Sequence, residues 1–327
     1  SVGHSTKSPE EHTEPRIPAP PRPGGTCLER LRARWQNAGT LLCVGLDSDF
    51  DRLPPPVRRN HTTLLAFEDD RLGAQIEGAL VTFNEAIIDA TADLVCAFKP
   101  NSAFYEAYGP PGLRALVRTI AYIHARYPEV PVLLDAKRGD IGSTSRAYAR
   151  AAFDAFDADA VTLHPYLGHK ALAPFLERAD RLSFILCRTS NPGADELQEL
   201  RVRADGMPVA GSDSGPLYLT VAHQVASEWN VHGNCGLVVG ATYPEELRRV
   251  RAQVGRLPIL VPGIGTQGGD LEATVRAGLD ADGQGLIISV SRAVIYASDG
   301  LDFAAAARRE ALRLWREIKD LRQVYQP

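Results

Sequence analysis

Three charged residues follow a short apolar run in the middle of the chain. Residues 132–134 are Val-Leu-Leu, which predicts a strand buried on both faces, and Asp135, Lys137 and Asp140 come directly after it. Because side chains alternate along a strand, we expect Asp135 and Lys137 on one face, about 7 Å apart along the backbone. An acid, a base and a second acid at the end of a buried strand indicate a catalytic site. The alternative is a solvated ion pair that contributes little, so the rest of the chain must decide.

Apolar runs and helical patterns alternate through most of the chain. The strand-like runs cover residues 41–46, 94–98, 132–134, 160–163, 184–187, 236–239, 259–261 and 286–290. After an initial helix near 28–35, helical patterns lie near residues 75–90, 112–127, 145–156, 170–178, 217–229, 244–254, 271–277 and 303–321. Eight of each predict a closed (β/α)8 TIM barrel rather than an open doubly wound sheet, since no Gly-x-Gly-x-x-Gly follows the first strand. Ser143 or Thr144 is expected to cap the helix near 145–156.

Composition separates a tail from this barrel. Residues 1–25 are polar and proline-rich, which predicts a mobile tail and leaves residues 26–327 as a single catalytic barrel domain. The net charge of −4 gives no electrostatic reason to bind nucleic acid or an anionic membrane. No apolar run approaches the roughly 18 residues that a membrane-spanning helix needs.

The cysteines and histidines give no sign of a metal site. The five cysteines have no Cys-x-x-Cys spacing and mostly lie in or beside apolar runs, so we expect buried thiols in a reducing cytoplasm. The eight histidines are scattered along the chain. His164, at the end of the fourth predicted strand, is interpreted as a hydrogen-bonded structural residue.

Polar residues stand at the ends of several predicted strands. The first strand is followed by Asp47, the second ends at Lys99, and the fifth is followed by Ser190. The seventh runs into a glycine-rich loop at residues 261–270, and Arg292 follows the eighth. The active sites of such barrels lie at the carboxyl ends of the strands. Free backbone N–H groups and a guanidinium after strands seven and eight are suited to a phosphate group.

Two connections after predicted strands are long. They cover residues 47–72 and 191–215, and both leave the end of the barrel where the chemistry is expected. The second contains four glycines after residue 192, which would suit a mobile lid. Tolerated surface insertions explain both connections equally well.

Together these motifs resemble the orotidine 5'-phosphate decarboxylase family in its bacterial type 2 form. They occur in family order, and they are Phe98-Lys99-Pro100-Asn101, Asp135-Ala136-Lys137-Arg138-Gly139-Asp140-Ile141-Gly142, Thr189-Ser190-Asn191-Pro192-Gly193, Pro262-Gly263-Ile264-Gly265-Thr266-Gln267-Gly268-Gly269 and the stretch from Ser291-Arg292 through Tyr296-Ala297-Ser298. The resemblance extends from about residue 28 to the C-terminus. It implies a barrel of the ribulose-phosphate-binding type that converts orotidine 5'-phosphate into UMP and CO2 in pyrimidine biosynthesis. It also implies a homodimer with shared active sites, and neither a cofactor nor a metal.

The resemblance assigns four residues to a charge network. Lys137 would be the proton donor to C6 of the pyrimidine, in a network with Lys99, Asp135 and Asp140. Asp140 and Thr144 would reach into the active site of the partner subunit, towards the ribose. Lys99 would also face the ribose hydroxyls.

Other residues would bind the substrate. The resemblance places Asp47 at the ribose and Ser190 at the pyrimidine. Gln267 would contact the pyrimidine and approach the phosphate. Arg292 and the backbone around Gly265 would hold the phosphate.

Three alternatives remain open on the residues alone. A magnesium-dependent sugar-phosphate decarboxylase or aldolase of the same superfamily would use the carboxylates to bind a metal, although Lys99 argues against a cation there. A Schiff-base aldolase would use Lys99 or Lys137. A barrel that only binds a phosphorylated metabolite would have no activity.

Overall fold

The computed structural model describes residues 22–59, 68–203, 214–265 and 270–326, without the side chains of residues 68–70. Within these ranges the chain forms ten strands. They are β1 (Leu42–Gly45), β2 (Ala97–Lys99), β3 (Leu133–Arg138), β4 (Ala160–Leu163), β5 (Leu182–Arg188), β6 (Arg201–Val202), β7 (Gly215–Pro216), β8 (Cys235–Val239), β9 (Ile259–Val261) and β10 (Leu286–Val290).

Eight of these strands form a parallel barrel. Their order is β2-β1-β10-β9-β8-β5-β4-β3, and every pairing within this sheet is parallel. The two ends of the sheet, β2 and β3, meet through isolated bridges that pair Phe98 with Val132 and Asn101 with Asp135. The barrel is therefore closed, and the predicted TIM-barrel fold is confirmed.

Helices follow the strands and cover the outside of the barrel. They are α1 (Cys27–Gln36), α2 (Pro55–Arg59), α3 (Glu68–Thr91), α4 (Ser102–Glu106), α5 (Gly109–Arg126), α6 (Gly142–Arg150), α7 (His169–Leu176), α8 (Asp195–Gln198), α9 (Leu217–Gln224), α10 (Pro244–Val254), α11 (Leu271–Gly278), α12 (Arg292–Ile295) and α13 (Phe303–Tyr325). Helix α1 begins with a capping box, in which Thr26 and Glu29 each accept a backbone N–H of the other. None of the described helices is long and apolar enough to span a membrane.

The barrel strands are apolar because they are buried on both faces. All residues of β1, β2, β4, β8, β9 and β10 are buried between the helices and the barrel interior. The five cysteines are buried and carry free thiols, as predicted. The core is therefore continuous, and the charged side chains at the strand ends stand on a rigid base.

Two local predictions were wrong. The second strand was expected from residue 94, but Ala92–Leu94 is a turn of 3-10 helix that ends α3 before β2 begins. Neither Ser143 nor Thr144 caps α6, because the helix begins earlier, at Gly142, and both residues lie inside its first turn. The N-cap position belongs to Ile141, which has no capping side chain.

A cluster of charges lies at the opposite end of the barrel, where the strands begin. Asp159, directly before β4, is buried and pairs with Arg22 and Arg30 while it accepts the backbone N–H of Val132 at 2.8 Å. His124 stands 3.6 Å from the other side of the same carboxylate. Arg22 belongs to the predicted tail, of which the structure describes residues 22–25. Residues 1–21 lie outside the described residues, and the division into tail and barrel domain remains a prediction.

The two long connections contain short elements of their own. The first holds a 3-10 turn, Phe50–Arg52, and helix α2. The second holds α8 and an antiparallel ribbon of β6 and β7. The lid hypothesis concerns a segment that includes residues 204–213, and residues 60–67 belong to the first connection; both stretches lie outside the described residues.

Candidate active site

A cavity of about 630 Å3 opens at the carboxyl ends of the barrel strands. Among its lining residues are six of the predicted site residues: Asp47, Lys99, Asp135, Lys137, Ser190 and Arg292. These residues come from the ends of β1, β2, β3, β5 and β10. They converge because the carboxyl ends of parallel strands meet at one end of the barrel.

Asp135 lies between two ammonium groups. Lys137 Nζ donates to Asp135 Oδ1 at 2.8 Å, and Lys99 Nζ donates to Oδ2 at 3.4 Å. Asp135 and Lys99 are both buried, whereas 49% of the Lys137 side chain is exposed. The buried pair is therefore fixed in place, and Lys137 is the member that faces the open cavity.

A bulge at the end of β3 brings Lys137 to this position. The pairing of β3 with β4 shifts register between Leu134 and Arg138, and Lys137 adopts a left-handed backbone with φ of 49°. Thr162 of β4 fills the gap in the ladder, since its Oγ1 accepts the backbone N–H groups of Ala136 and Lys137 at 3.1 and 2.9 Å. The same hydroxyl donates to Asp135 Oδ1 at 2.7 Å. One threonine thus orients both the carboxylate and the lysine backbone.

The charges of the buried pair stabilise each other. Burial alone would raise the pKa of Asp135, but Lys99 and Lys137 outweigh burial and hold its pKa well below the ordinary value. Burial would lower the pKa of Lys99, but Asp135 and then Asp47 outweigh it and raise that pKa above the ordinary value. Both groups are therefore charged throughout the physiological range.

Asp47 extends the array of charges to β1. Its Oδ2 accepts the hydroxyl of Ser291 at 2.8 Å, and its attraction helps to keep Lys99 protonated. Its Oδ1 is buried and has no hydrogen-bond donor among the described residues. A substrate hydroxyl would satisfy this oxygen, which agrees with the predicted contact to a ribose.

The predicted phosphate site is only partly described. Gly263 lines the cavity and Gly265 follows it closely, and both have positive φ, of 92° and 83°. Arg292 is an exposed side chain at the cavity wall. Gln267, which was predicted to contact the pyrimidine and the phosphate, lies outside the described residues.

Within the single chain, Asp140 and Thr144 lie apart from Lys99, Asp135 and Lys137. Neither is among the described residues that line the cavity. Asp140 Oδ1 accepts the adjacent backbone N–H of Ile141 at 2.7 Å, and Thr144 is exposed in the first turn of α6. The single chain therefore brings three of the four predicted network residues together, namely Lys99, Asp135 and Lys137.

Sequence reasoning missed two polar residues of the site. Thr162 is the one hydroxyl in the Ala-Val-Thr-Leu run of β4, and a polar residue in a buried strand was the available signal. Gln198 of α8 holds the loop after β5, because its amide accepts from Thr189 N and donates to Thr189 Oγ1, both at 2.8 Å. No spacing in the sequence indicated Gln198. His164 contacts the carbonyl of Gly139 at 2.9 Å, as expected of a structural histidine.

In the part of the chain that the structure describes, no three His, Cys, Asp or Glu side chains are placed to hold a metal ion. The candidate site is instead an alternation of ammonium and carboxylate groups beside a cavity with an arginine at its wall.

A closed parallel barrel with this cluster at the carboxyl ends of its strands defines an enzyme of the (β/α)8 class. Within that class, the chain belongs to the Orotidine 5'-phosphate decarboxylase / HUMPS family, whose model matches residues 40–308. This confirms the resemblance that the motifs indicated.

Known proteins support the assignment over most of the chain. An orotidine 5'-phosphate decarboxylase of Herpetosiphon aurantiacus is 50% identical over 285 residues, which are 87% of this chain and 94% of that protein. The one of Cellvibrio japonicus is 49% identical over 291 residues, 89% of this chain and 97% of the relative.

Solved structures show the same fold. The OMP decarboxylase of Leishmania donovani superposes with a TM-score of 0.73 at 39% identity and covers 91% of this chain and 99% of its own. The UMP synthase of that organism gives a TM-score of 0.74 at 40% identity, and this chain spans 57% of its length.

Proposed function

We propose that this protein converts orotidine 5'-phosphate into UMP and CO2, the decarboxylation step of pyrimidine biosynthesis, with Lys137 as the proton donor to C6. The observation that carries the proposal is the contact of Asp135 with both Lys99 and Lys137 inside the cavity. Relatives named orotidine 5'-phosphate decarboxylase, about half identical over nearly the whole chain, support the same substrate.

The difficulty of the reaction is the carbanion that remains at C6 when CO2 leaves. This electron pair lies in the plane of the ring, where no conjugated group can delocalise it, so the protein must stabilise it electrostatically. An ammonium group beside C6 would do this, and Lys137 is the cluster member with its side chain open to the cavity. The same ammonium can then transfer its proton to C6, which completes the replacement of CO2 by hydrogen.

Asp135 has a smaller direct part in lowering the barrier. A substrate carboxylate placed beside it would be repelled, yet a charge pair about 4 Å apart is worth only about 4 kcal/mol at an effective dielectric of about 20. Enzymes lower barriers by roughly 8–23 kcal/mol. The contribution of Asp135 therefore lies mainly in holding both lysines in place and in keeping Lys99 charged.

The phosphate group would bind at the other end of the cavity. Arg292 and the backbone at Gly263 and Gly265 offer a guanidinium and N–H groups to an anion. Ser190, which follows β5, also lines the cavity, and its hydroxyl is suited to a contact with the pyrimidine. Binding energy from the phosphate is then available to position the ring over Lys137.

The decisive assay follows the ultraviolet absorbance of orotidine 5'-phosphate on mixing with the purified protein. We expect turnover at the same rate with and without EDTA, because the proposed chemistry uses only side chains of the protein. A stable absorbance would contradict the proposed function, and a loss of activity in EDTA would favour the metal-dependent alternative.

Replacement of Lys137 tests its role. Lys137→Ala should abolish turnover while UMP still binds, because the proton donor is lost and the rest of the cavity remains. Lys319→Ala changes an exposed lysine near the end of α13, outside the cavity lining and outside the segments after β3 and β4, and serves as the matched control, with activity close to wild type. Appreciable decarboxylation by Lys137→Ala would remove this residue from its proposed role.

Replacement of Arg292 tests the phosphate site. Arg292→Ala should weaken binding of UMP while binding of uridine, which has no phosphate, stays unchanged. Arg309→Ala, on the exposed surface of α13, provides the control. Equal affinity of wild type and Arg292→Ala for UMP would refute the assignment.

We also propose that the enzyme is a homodimer with shared active sites. Ile141, Tyr148, Tyr166 and Leu167 are large apolar side chains exposed on the segments that follow β3 and β4. Asp140 lies beside this surface and outside the cavity of its own chain, as expected of a residue that serves a neighbouring site. The reduced, buried cysteines agree with a cytoplasmic enzyme.

Mixed dimers would test the sharing of sites. Lys137→Ala and Asp140→Ala should each be inactive alone, because each lacks a residue of the complete site. After subunit exchange, one site of each heterodimer contains both residues, so about a quarter of the wild-type activity should return from a statistical mixture. No recovery, in a mixture shown by mass measurement to contain dimers, would contradict the shared site.

A further inference from the structure

Tyr296 lies outside the cavity and has so far no part in the mechanism. It follows directly after helix α12, whose first residue is Arg292. Its hydroxyl donates to the backbone carbonyl of Asp47 at 3.3 Å and accepts the backbone N–H of Asp49 at 3.0 Å. One phenol therefore joins the segment of the predicted phosphate contact to the backbone of Asp47 and Asp49.

The ring of Tyr296 is held firmly in this position. It stacks on Phe83 of α3 with 6.0 Å between ring centroids, and the guanidinium of Arg52 lies 4.5 Å from its centre. Burial raises the pKa of the phenol, although the Asp49 N–H and Arg52 oppose this change. The hydroxyl therefore keeps its proton and can donate and accept at the same time.

A second hydrogen bond crosses the same junction. Ser291, directly before Arg292, donates to Asp47 Oδ2 at 2.8 Å. Asp47 is thus attached on its carboxylate to the start of α12 and on its backbone to the end of the same helix. Since Asp47 also attracts the buried ammonium of Lys99, a displacement of α12 would change the surroundings of Lys99 at the cavity.

We propose that Tyr296 is a positioning residue that couples phosphate binding at Arg292 to the placement of Asp47, and through Asp47 to Lys99. This inference rests on the proposed function, because it assumes that Arg292 meets the phosphate. An anion that draws Arg292 into the cavity fixes the position of α12. The two hydrogen bonds of the Tyr296 hydroxyl then fix the backbone of Asp47 and Asp49, and with it the position of the Asp47 carboxylate. Tyr296 acts without touching the substrate.

A double-mutant cycle tests the coupling. Tyr296→Phe keeps the ring contacts and removes the hydroxyl, and we expect kcat/KM for orotidine 5'-phosphate to fall about tenfold, as for a lost buried hydrogen bond. In an Arg292→Ala background the same change should cost less than about twofold, because a coupled pair is not additive. Equal losses in the two backgrounds would overturn the proposal.

Tyr108 offers a matched control. Its hydroxyl donates to the Asp49 carboxylate at 2.5 Å, so Tyr108→Phe makes the same chemical change on the same loop. Tyr108 belongs to the chain before α5 and has no bond to α12, so its effect should be the same with and without Arg292→Ala. If the loss of kcat/KM in Tyr108→Phe also became smaller in the Arg292→Ala background, both tyrosines would act only by holding the loop in place. That result would overturn the specific role of Tyr296.

Binding gives a readout that is independent of turnover. In wild type, the ratio of UMP to uridine affinity measures the contribution of the phosphate. Tyr296→Phe should lower this ratio, whereas a merely structural defect would weaken both ligands equally and leave the ratio unchanged. If wild type did not decarboxylate the substrate, the proposed function would fail, and the ratio would still decide whether Tyr296 is coupled to the phosphate site.

Discussion

Asp135 shows how the surroundings of one residue decide its use. Removal of one partner of a buried carboxylate strongly destabilises the folded protein, because the remaining charge stays desolvated and unpaired. Here Lys99, Lys137 and the hydroxyl of Thr162 surround it, so both oxygens are satisfied. The cost of desolvation is compensated, and a lysine that faces the cavity remains for chemistry.

Thr162 should be more important than its neutral side chain indicates. Thr162→Val keeps the shape but leaves two backbone N–H groups without their acceptor, and it removes one of the two donors to Asp135 Oδ1, which keeps only Lys137. We expect the free energy of unfolding to fall by about 1–3 kcal/mol. We also expect kcat to fall at least about tenfold, since a displacement of about 1 Å in a catalytic group has such effects. Urea denaturation and steady-state kinetics measure the two changes.

Thr274 is the control for this substitution. It is as fully buried as Thr162, at 0% against 1% exposed, but its Oγ1 has no partner among the described residues. Thr274→Val should therefore leave both stability and kcat near wild type. Equal losses in the two variants would show that burial of the methyl and hydroxyl groups, and not the hydrogen bonds of Thr162, is responsible.

At the scale of elements, the approach of β1 to β10 positions the carboxylate of Asp47. Gly45 ends β1, and a Cβ at this position would lie 1.9 Å from Ser291 Oγ and 3.0 Å from Ser291 Cβ. The absence of a side chain at Gly45 allows Ser291 to reach Asp47 across the two strands.

Gly45→Ala should accordingly displace Ser291 and break its bond to Asp47. We expect KM for orotidine 5'-phosphate to rise by about tenfold, the usual value of a hydrogen bond to a charged group, while the far-ultraviolet circular dichroism stays that of wild type. Gly73→Ala, in α3 with only ordinary contacts near its Cβ, is the matched control. It should leave KM unchanged and stabilise the helix by up to about 1 kcal/mol. An unchanged KM for Gly45→Ala would contradict the role given to Ser291.

The end of β3 also shows what sequence reasoning can and cannot reach. Lys99, Asp135 and Lys137 were predicted together because each closes or follows an apolar run and parallel strands end at one edge. Regular alternation predicted that Asp135 and Lys137 share one face of the strand, yet their contact arises from a bulge and a left-handed backbone at Lys137. The bulge depends on Thr162 in another strand, so no local pattern reveals it.

Longer-range contacts were equally out of reach. The hydrogen bonds of Tyr296 join positions about 250 residues apart in the chain. Periodicity reports which face of an element is buried but not which side chain from another element meets it. The start of α6 was misplaced for a related reason, because the sequence offered two capping hydroxyls and the structure uses neither.

At the scale of the whole molecule, chemistry and stability occupy opposite ends of the barrel. The cavity lies where the strands end, and the buried cluster of Arg22, Arg30, His124 and Asp159 lies where they begin. Burial alone would raise the pKa of Asp159, but His124, Arg30 and Arg22 outweigh it and hold that pKa below the ordinary value. A separation of this kind allows each end to be changed independently.

Asp159→Asn should destabilise the fold and leave the chemistry intact. Removal of one member of a buried ion pair costs about 3–5 kcal/mol, and kcat measured well below the melting temperature should stay near wild type. Because the folded pKa of Asp159 is lowered, its contribution is present above the ordinary aspartate pKa and is lost as the pH falls through the folded pKa. The variant should therefore lose less stability than wild type on acidification, as urea denaturation at several pH values would measure.

An exposed ion pair provides the comparison. Asp282→Asn removes the partner of Arg256 at the surface, and stability should not change measurably at any pH. A loss of kcat in Asp159→Asn, with the protein fully folded, would contradict the division between the two ends.

The junction that closes the barrel lies beside Lys99 and Asp135. Strands β2 and β3 meet only by two isolated bridges, and Lys99 stands on one side of that junction while Asp135 stands on the other. A local opening of the barrel between β2 and β3 would separate Lys99 from Asp135 while the remaining strands stay paired. On warming, activity should therefore be lost at a lower temperature than the one at which the protein unfolds. The amide hydrogens of Phe98 and Asp135 should be the first in the barrel strands to exchange with deuterated solvent.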